Sequence, residues 1–226
     1  MKNVIFYHAC LINDWMPLVY SQLYRILMSG VLQKSQLFIS VLTKSYNDIN
    51  IFKNMYINNI KITEMGAIIH QSNNIYEYEI PTIMTLREYC INNDCNVLYF
   101  HTKGISLTKY NTSQYNMPYK ILMNNVSMWR DFMEDHLIDN WRKCIGVLNT
   151  TISDTAGVNY AEIPIKHYAG NFWWAKSDYI KKLPDITGTP ERIIAEMWIG
   201  LLPQAIMHNM SNKTCGYFQP IDKKDY

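Results

Sequence analysis

The chain has 226 residues, of which 48% are hydrophobic and 18% charged, so it can bury a sizeable core and is not expected to be disordered. The formal net charge of +2 with scattered lysines excludes a basic nucleic-acid-binding face, and no apolar run is long enough to span a bilayer. The five cysteines show no Cys-x-x-Cys spacing, and the first residues lack the apolar core of a signal peptide. We therefore expect a cytoplasmic protein with reduced thiols.

The first half of the chain predicts strands that alternate with helices. The predicted elements are a strand over 4–11, a helix over 15–28 that stops at Gly30, a strand over 36–43, a short third strand around 61–65, a helix over 81–90 opened by Pro81, and a fourth strand over 96–101. This alternation is typical of an α/β fold with a mostly parallel sheet and helices on both faces.

Polar side chains follow the first and fourth predicted strands. Ligands of such sheets bind at the carboxyl ends of the strands, which predicts a shared crevice for Tyr7, His8, His101, Thr102 and Lys103. The run His101 to Gly104 offers an imidazole, a hydroxyl, a cation and a glycine that lets a ligand approach the backbone, which suits a diphosphate. An ordinary strand exit with a solvated lysine fits the same residues equally well.

The second half of the chain begins with a polar loop over 103–117 and a helical region over 118–148 that is interrupted near Asn140. A further helix is predicted to start with Thr189 as N-cap and Pro190 at its first position. On that helix Arg192 and Glu196 form a narrow polar strip. The strip predicts either a surface ion pair or one side of a cleft in which Glu196 acts as a general base.

The segment 167–175, HYAGNFWWA, concentrates aromatic side chains around Gly170 and Asn171. On a strand, Phe172 and Trp174 share one face, and Asn171, Trp173 and Ala175 share the other. Because two adjacent tryptophans are seldom both fully buried, we expect at least one of them to face a cleft, where a ring beside an amide can hold a sugar. The alternative is a core strand whose aromatic rings fill volume.

Five segments, in this order, resemble a known family: LYFHTKGIS at 98–106, WRDFME at 129–134, DTAGVNY at 154–160, HYAGNFWWAKSDYIKKLP at 167–184 and AEMW at 195–198. They are similar to small GT-A-type glycosyltransferases of bacteria and large DNA viruses, over residues 3 to 200. The resemblance implies a single GT-A-like domain over 1–226, with a mixed, mostly parallel sheet of about six strands flanked by helices. It implies a nucleotide-binding half over 1–104 and an acceptor and sugar half over 105–226.

The resemblance also implies a function and a set of roles. A hexose would move from a UDP-sugar donor to a hydroxyl of a glycan or glycoprotein acceptor, often with Mn²⁺ at the diphosphate. Tyr7 and His8 would lie at the base and ribose, His101, Thr102, Lys103 and Gly104 at the diphosphate, Gly170, Asn171, Trp173 and Trp174 at the sugar rings, and Glu196 would be the acceptor base of an inverting reaction.

The sequence departs from the family where a metal is expected. GT-A enzymes place an Asp-x-Asp motif at the end of the corresponding strand, whereas VLYFHTKG carries no carboxylate. Either other groups such as His101 hold the metal, or Lys103 partly replaces it. The departure leaves two alternatives to the enzyme: a non-catalytic sugar-binding or assembly protein on a degenerate GT-A fold, and a phosphate-ester hydrolase built on scattered His and Asp residues.

Overall fold

The computed structural model describes residues 1–108, 115–189 and 191–226, and a seven-stranded sheet runs through its centre. The strands are β1 (Lys2–Leu11), β2 (Ser35–Thr43), β3 (Tyr56–Ile57), β4 (Ile60–Lys61), β5 (Ala67–Ser72), β6 (Cys95–His101), β7 (Thr155–Gly157), β8 (Tyr160–Ala161), β9 (His167–Tyr168), β10 (Trp173–Lys176) and β11 (Met207–Asn209). The central sheet has the order β11-β7-β10-β6-β1-β2-β5, and β3 with β4 and β8 with β9 form two small ribbons.

The central sheet is mostly parallel, as the sequence predicts. Strands β1, β2, β5 and β6 run parallel, β10 lies antiparallel between β6 and β7, and β11 runs parallel to β7. From β1 the chain moves outward to β2 and β5, and then returns to the other side of β1 with β6. The order of the strands therefore reverses between β1 and β6, which is where sheets of this kind open a crevice at the carboxyl ends of the strands.

Helices cover both faces of the sheet. They are α1 (Trp15–Met28), α2 (Tyr46–Lys53), α3 (Ile62–Met65), α4 (Ile80–Asn92), α5 (Tyr119–Glu134), α6 (Trp141–Thr150), α7 (Ser177–Ile180) and α8 (Arg192–Met197). Because side chains alternate along a strand, Ile5 and Tyr7 of β1 join the core beneath α1, α5 and α6, whereas Val4 and Phe6 join the core beneath α4, α7 and α8. In the described part of the chain, no helix is both long and apolar enough to cross a membrane.

Most predicted elements are confirmed. Helix α1 buries Val19, Leu23 and Ile26 at helical spacing, and Gly30 follows its end with a φ of 73°. The long helical region is interrupted as expected, because a π-helical turn at Asp135–Asp139 and Asn140 separate α5 from α6. Residues 109–114 of the predicted polar loop, including Asn111 and Ser113, lie outside the described residues.

Three predictions are wrong. The third strand of the central sheet is β5 at Ala67–Ser72, not 61–65. Gly66 packs so closely on Leu37 that a Cβ at position 66 would lie 2.7 Å from Cγ of Leu37, and pairing with β2 begins only after this contact. The central sheet has seven strands, not about six, because the short edge strand β11 carries no periodic pattern. Helix α8 begins at Arg192 with Glu191, not Thr189, as N-cap, and Pro190 lies outside the described residues.

Candidate functional site

Three adjoining cavities form one cleft at the carboxyl ends of β1 and β6, here called the switch-point cleft. The first cavity holds about 210 Å³ and contains His8, Glu79 and His101 in its wall. The middle cavity, of about 230 Å³, shares Gly104, Ser106 and Arg192 with the first. The third cavity, of about 400 Å³, shares Lys103, Tyr115, Arg192 and Tyr217 with the middle one and reaches Trp129, Gly170 and Glu196.

A larger groove of about 710 Å³ runs along the outer side of α4. It shares only Tyr76 with the lining of the cleft and lies away from the strand ends. We place the candidate site in the switch-point cleft because several elements converge there on buried polar groups at the carboxyl ends of the strands.

Two buried histidines line the first cavity in their neutral form. His101 Nε2 lies 3.1 Å from the carbonyl oxygen of Gly170, which only accepts, so this nitrogen carries the proton. Burial, with Lys103 beside it, lowers the pKa of His101 well below its usual value. His8 Nδ1 contacts Thr82 Oγ1 at 2.8 Å, and burial lowers the pKa of His8 to about 3. Both imidazoles are therefore uncharged at neutral pH and already hydrogen-bonded.

Lys103 and Arg192 provide the positive charge of the cleft. Lys103 is only 4% exposed, its Nζ lies 4.6 Å from the ring centroid of Trp129, and burial lowers its pKa. Burial acts in the same direction on Arg192, but the carboxylates Glu79 and Glu196 outweigh it and raise the pKa of Arg192. Lys103 lines the cleft, as the sequence predicts for a crevice at the strand ends. Its side chain is buried, so the alternative of a solvated lysine does not hold.

Glu79 is the residue of the cleft that sequence reasoning missed. It is 6% exposed, its Oε1 lies 3.5 Å from His101 Nδ1, and its Oε2 is buried without a hydrogen-bond partner among the described residues. Burial raises the pKa of the Glu79 carboxyl. Tyr78, with a φ of 52°, turns the chain immediately before it. With the third strand predicted at 61–65, Glu79 was not expected near a strand end. The observed strand β5 ends at Ser72, so the segment 73–79 is the connection that follows it.

Thr102 and Gly104 serve the architecture of the cleft. Thr102 Oγ1 accepts a hydrogen bond of 3.0 Å from the backbone N–H of Cys10 and thereby ties the end of β6 to the end of β1. Gly104 has a φ of +84°, and a Cβ there would lie 2.3 Å from Cγ1 of Val126. The close approach of α5 therefore requires a glycine here. Gly104 also lines both the first and the middle cavity.

Glu196 reaches the third cavity from α8. Its side chain is 24% exposed and accepts a hydrogen bond of 3.0 Å from Nη2 of Arg192, one helical turn earlier. The predicted ion pair exists and also lines a cleft, and the role of Glu196 as a general base stays a prediction. The carboxylate stands in the same cavity as Lys103, Trp129 and Gly170.

The expectation that Trp173 or Trp174 faces the cleft is wrong. Trp173 and Trp174 are both 0% exposed, because β10 lies inside a sheet that is covered on both faces. The indole N–H of Trp173 donates to Oδ1 of Asn171, and that of Trp174 donates to the carbonyl of Leu137. The predicted alternation is confirmed, since Phe172 and Trp174 pack in one core and Trp173 packs in the other.

Asn171 and Tyr7 are likewise structural in this fold. Asn171, at 1% exposure, also donates to the carbonyl of Ala195 and so joins the turn before β10 to α8. Tyr7 is 0% exposed, stacks on Phe100 at 4.5 Å between ring centroids and donates to Gln22. Tyr7 points to the α1 face, away from the cleft, because its strand neighbour His8 points toward it.

The donor set of the cleft does not fit a divalent metal. Within residues 1–108, 115–189 and 191–226, no three His, Cys, Asp or Glu side chains stand close enough to hold one. Two cations, Lys103 and Arg192, line the middle cavity. Hard cations need several oxygen ligands, and the described carboxylates do not cluster to provide them.

Together these features define an α/β protein with a mostly parallel, doubly covered sheet and a charged cleft at the point where the strand order reverses. The chain belongs to a family described as a domain of unknown function, DUF8361, whose profile matches residues 7–215. The matched range contains the cleft residues from His8 to Glu196. No curated protein and no solved structure matches the chain.

Proposed function

We propose that the protein is a GT-A-type glycosyltransferase that moves a hexose from a UDP-sugar to a hydroxyl of a glycan or glycoprotein. The observation that carries this proposal is the row of three cavities in the switch-point cleft, of about 210, 230 and 400 Å³, with the two cations at the middle one. A nucleoside, a diphosphate and a sugar follow one another in the same order in a nucleotide sugar. The choice of uridine rests on the resemblance of the sequence segments.

Lys103 and Arg192 are the groups that would hold the diphosphate. Both line the middle cavity, and an ammonium and a guanidinium are strong hydrogen-bond donors to phosphate oxygens. As the bond between the sugar and UDP breaks, the electron pair goes to the departing phosphate oxygen. Cations that are already in position stabilise that charge because they need no reorganisation during the step.

Glu196 is the proposed base. It would take the proton of the acceptor hydroxyl while that oxygen forms a bond to the anomeric carbon, which inverts the configuration. In the structure Glu196 is paired with Arg192 at 3.0 Å. A diphosphate in the middle cavity would compete for this guanidinium, so donor binding would release the carboxylate for the acceptor.

The same ion pair favours one other function, a non-catalytic sugar-binding protein in which Arg192 and Glu196 only stabilise α8. The first experiment is therefore a calorimetric titration of UDP, with and without Mn²⁺, followed by UDP release from UDP-hexoses. We expect UDP to bind without metal. Absence of binding in both conditions contradicts the proposal, and binding without any release of UDP from a panel of donors and acceptors favours the non-catalytic protein.

The role of Glu196 is tested with Glu196→Gln, which keeps the shape and removes the base. Turnover should fall at least about a hundredfold, the scale of a lost general base, while UDP affinity stays within about threefold of wild type. Glu88→Gln, an exposed carboxylate on α4 outside the cleft, is the matched control and should leave both quantities unchanged. Unchanged turnover in Glu196→Gln would remove Glu196 from the mechanism.

A further inference from the structure

Glu79 is a buried carboxyl group that the proposed chemistry does not use. Its side chain is 7% exposed, its Oε2 is buried without a hydrogen-bond partner among the described residues, and its Oε1 lies 3.5 Å from His101 Nδ1. Leaving such a group unpaired is unfavourable, and more so if it is charged. An unpaired carboxyl oxygen in the wall of a cavity is expected where a ligand supplies the missing hydrogen bond.

The surroundings of Glu79 decide what kind of hydrogen bond is missing. The proton of His101 is on Nε2, which donates to Gly170, so its Nδ1 is an acceptor and cannot donate to Glu79. Of the other polar side chains that line the first cavity, His8 contacts Thr82, Thr102 accepts from the N–H of Cys10, and Arg192 donates to Glu196. Glu79 is thus an acceptor facing the cavity, and its partner must bring a donor.

The position of Glu79 along the cleft selects the part of the ligand. Arg192 lines both the first and the middle cavity, and Arg192, Glu196 and Lys103 all act electrostatically on Glu79, so Glu79 lies at the end of the first cavity that faces the cations. The ribose of a nucleoside diphosphate is the part that adjoins its phosphates. The rings of Tyr76 and Tyr78 and the side chain of Ile75 complete the wall of the same cavity and offer flat, apolar surface for a base.

We propose that Glu79 recognises the ribose of the nucleotide by accepting a hydrogen bond from one of its hydroxyl groups. This inference rests on the proposed function, because it assumes a nucleotide with its phosphates at Lys103 and Arg192. It assigns the first cavity to a nucleoside and makes Glu79 the residue that holds its ribose through one hydroxyl. Either carboxyl oxygen can serve, since rotation about the last side-chain torsion exchanges them.

The test compares UDP with 2′-deoxy-UDP, 3′-deoxy-UDP and N3-methyl-UDP by calorimetry. In the wild type, removal of one ribose hydroxyl should weaken binding by roughly tenfold, the usual cost of leaving a buried acceptor unpaired. In Glu79→Leu, UDP should bind as weakly as that deoxy analogue binds to wild type, and the analogue should lose nothing further. Glu79→Gln keeps an acceptor oxygen and should retain most of the discrimination.

Two controls separate recognition from folding. Thermal unfolding without ligand should show Glu79→Leu to be as stable as wild type or more so, because the substitution removes an unpaired buried group. Glu88→Leu, on the exposed side of α4, should leave the discrimination intact. The inference is overturned if Glu79→Leu loses much stability while both Glu79→Gln and Glu79→Leu still discriminate between UDP and the deoxy analogue. Glu79 would then be a structural residue.

The remaining outcomes also decide the question. If the wild type binds UDP and both deoxy analogues equally, or if the effect of Glu79 follows the N3-methyl group instead of a ribose hydroxyl, the inference is overturned while the proposed function stands. A wild-type protein that binds no UDP overturns both.

Discussion

The substitution Lys103→Met should separate ligand binding from stability, because the structure predicts opposite effects on the two. Lys103 is 4% exposed, its ammonium lies 4.6 Å from the ring centroid of Trp129, and burial lowers its pKa although Glu196 and Glu79 act in the opposite direction. A cation over a tryptophan contributes about 0.5–2 kcal/mol, which offsets only part of the cost of taking a charge out of water. Met has a similar length and no charge to desolvate. The free energy of unfolding without ligand should therefore stay constant or rise.

Binding should change in the other direction. A hydrogen bond between an ammonium and a phosphate contributes about 1.5–3 kcal/mol, which corresponds to a loss of roughly 10- to 150-fold in UDP affinity for Lys103→Met. The assay is urea unfolding of the free protein together with calorimetric titration of UDP. Lys120→Met, an exposed lysine at the start of α5 outside the cleft, is the matched control. A lower stability with unchanged UDP affinity would refute the placement of a diphosphate at Lys103.

The lowered pKa of Lys103 adds a dependence on pH with a definite sign. Between this pKa and the usual value of 10.5, the unfolded chain binds a proton at Lys103 that the folded chain does not. The contribution of Lys103 to stability therefore rises with pH across that window. It is lost as the pH falls through the folded pKa. UDP affinity should instead fall as pH rises through the same folded pKa, because the ammonium is deprotonated. Lys103→Met should lose both dependences.

Two further predictions concern the groups that hold the cleft in place. Asn171→Ala should lower the free energy of unfolding, measured in urea, by about 2–5 kcal/mol, because it leaves the indole N–H of Trp173 and the carbonyl of Ala195 unpaired. An unchanged unfolding midpoint would contradict a structural role and favour Asn171 as a ligand-binding residue. Arg25→Met should cost about 3–5 kcal/mol, because Glu134, only 5% exposed and 3.2 Å from Arg25, loses this ion pair. Combining Arg25→Met with Glu134→Gln should recover part of that loss, and full additivity would contradict the pairing.

The sheet could be predicted from the sequence where its strands are buried on both faces. The continuous apolar runs of β1 and β6, and Pro81 at the start of α4, are local signals that survive in the fold. The strand β5 was misplaced because the pairing depends on the contact between Gly66 and Leu37, which are distant in sequence. No local pattern reports such a contact.

The aromatic segment shows why composition alone misassigned a site. Trp173 and Trp174 look suited to a cleft because their indole N–H groups need partners. The partners are Asn171, two residues away, and the carbonyl of Leu137 at the end of the long helical region. Sequence reasoning could count the donors, but only the fold showed that acceptors were already available inside the protein.

The charges of the cleft come from segments that the sequence does not connect, and their balance constrains how a diphosphate can bind. Glu79 precedes α4, Lys103 follows β6, and Arg192 and Glu196 stand on α8. With both carboxylates ionised, these described groups carry no net charge, since the neighbouring imidazoles are neutral. Attraction of an anion by the overall field of the cleft is therefore weak, and binding must come from direct contacts. These are a hydrogen bond from Lys103 and, at Arg192, phosphate oxygens that replace Glu196. We therefore expect UDP affinity to change little with ionic strength. Substitutions that alter the ion pair between Arg192 and Glu196 should change it more.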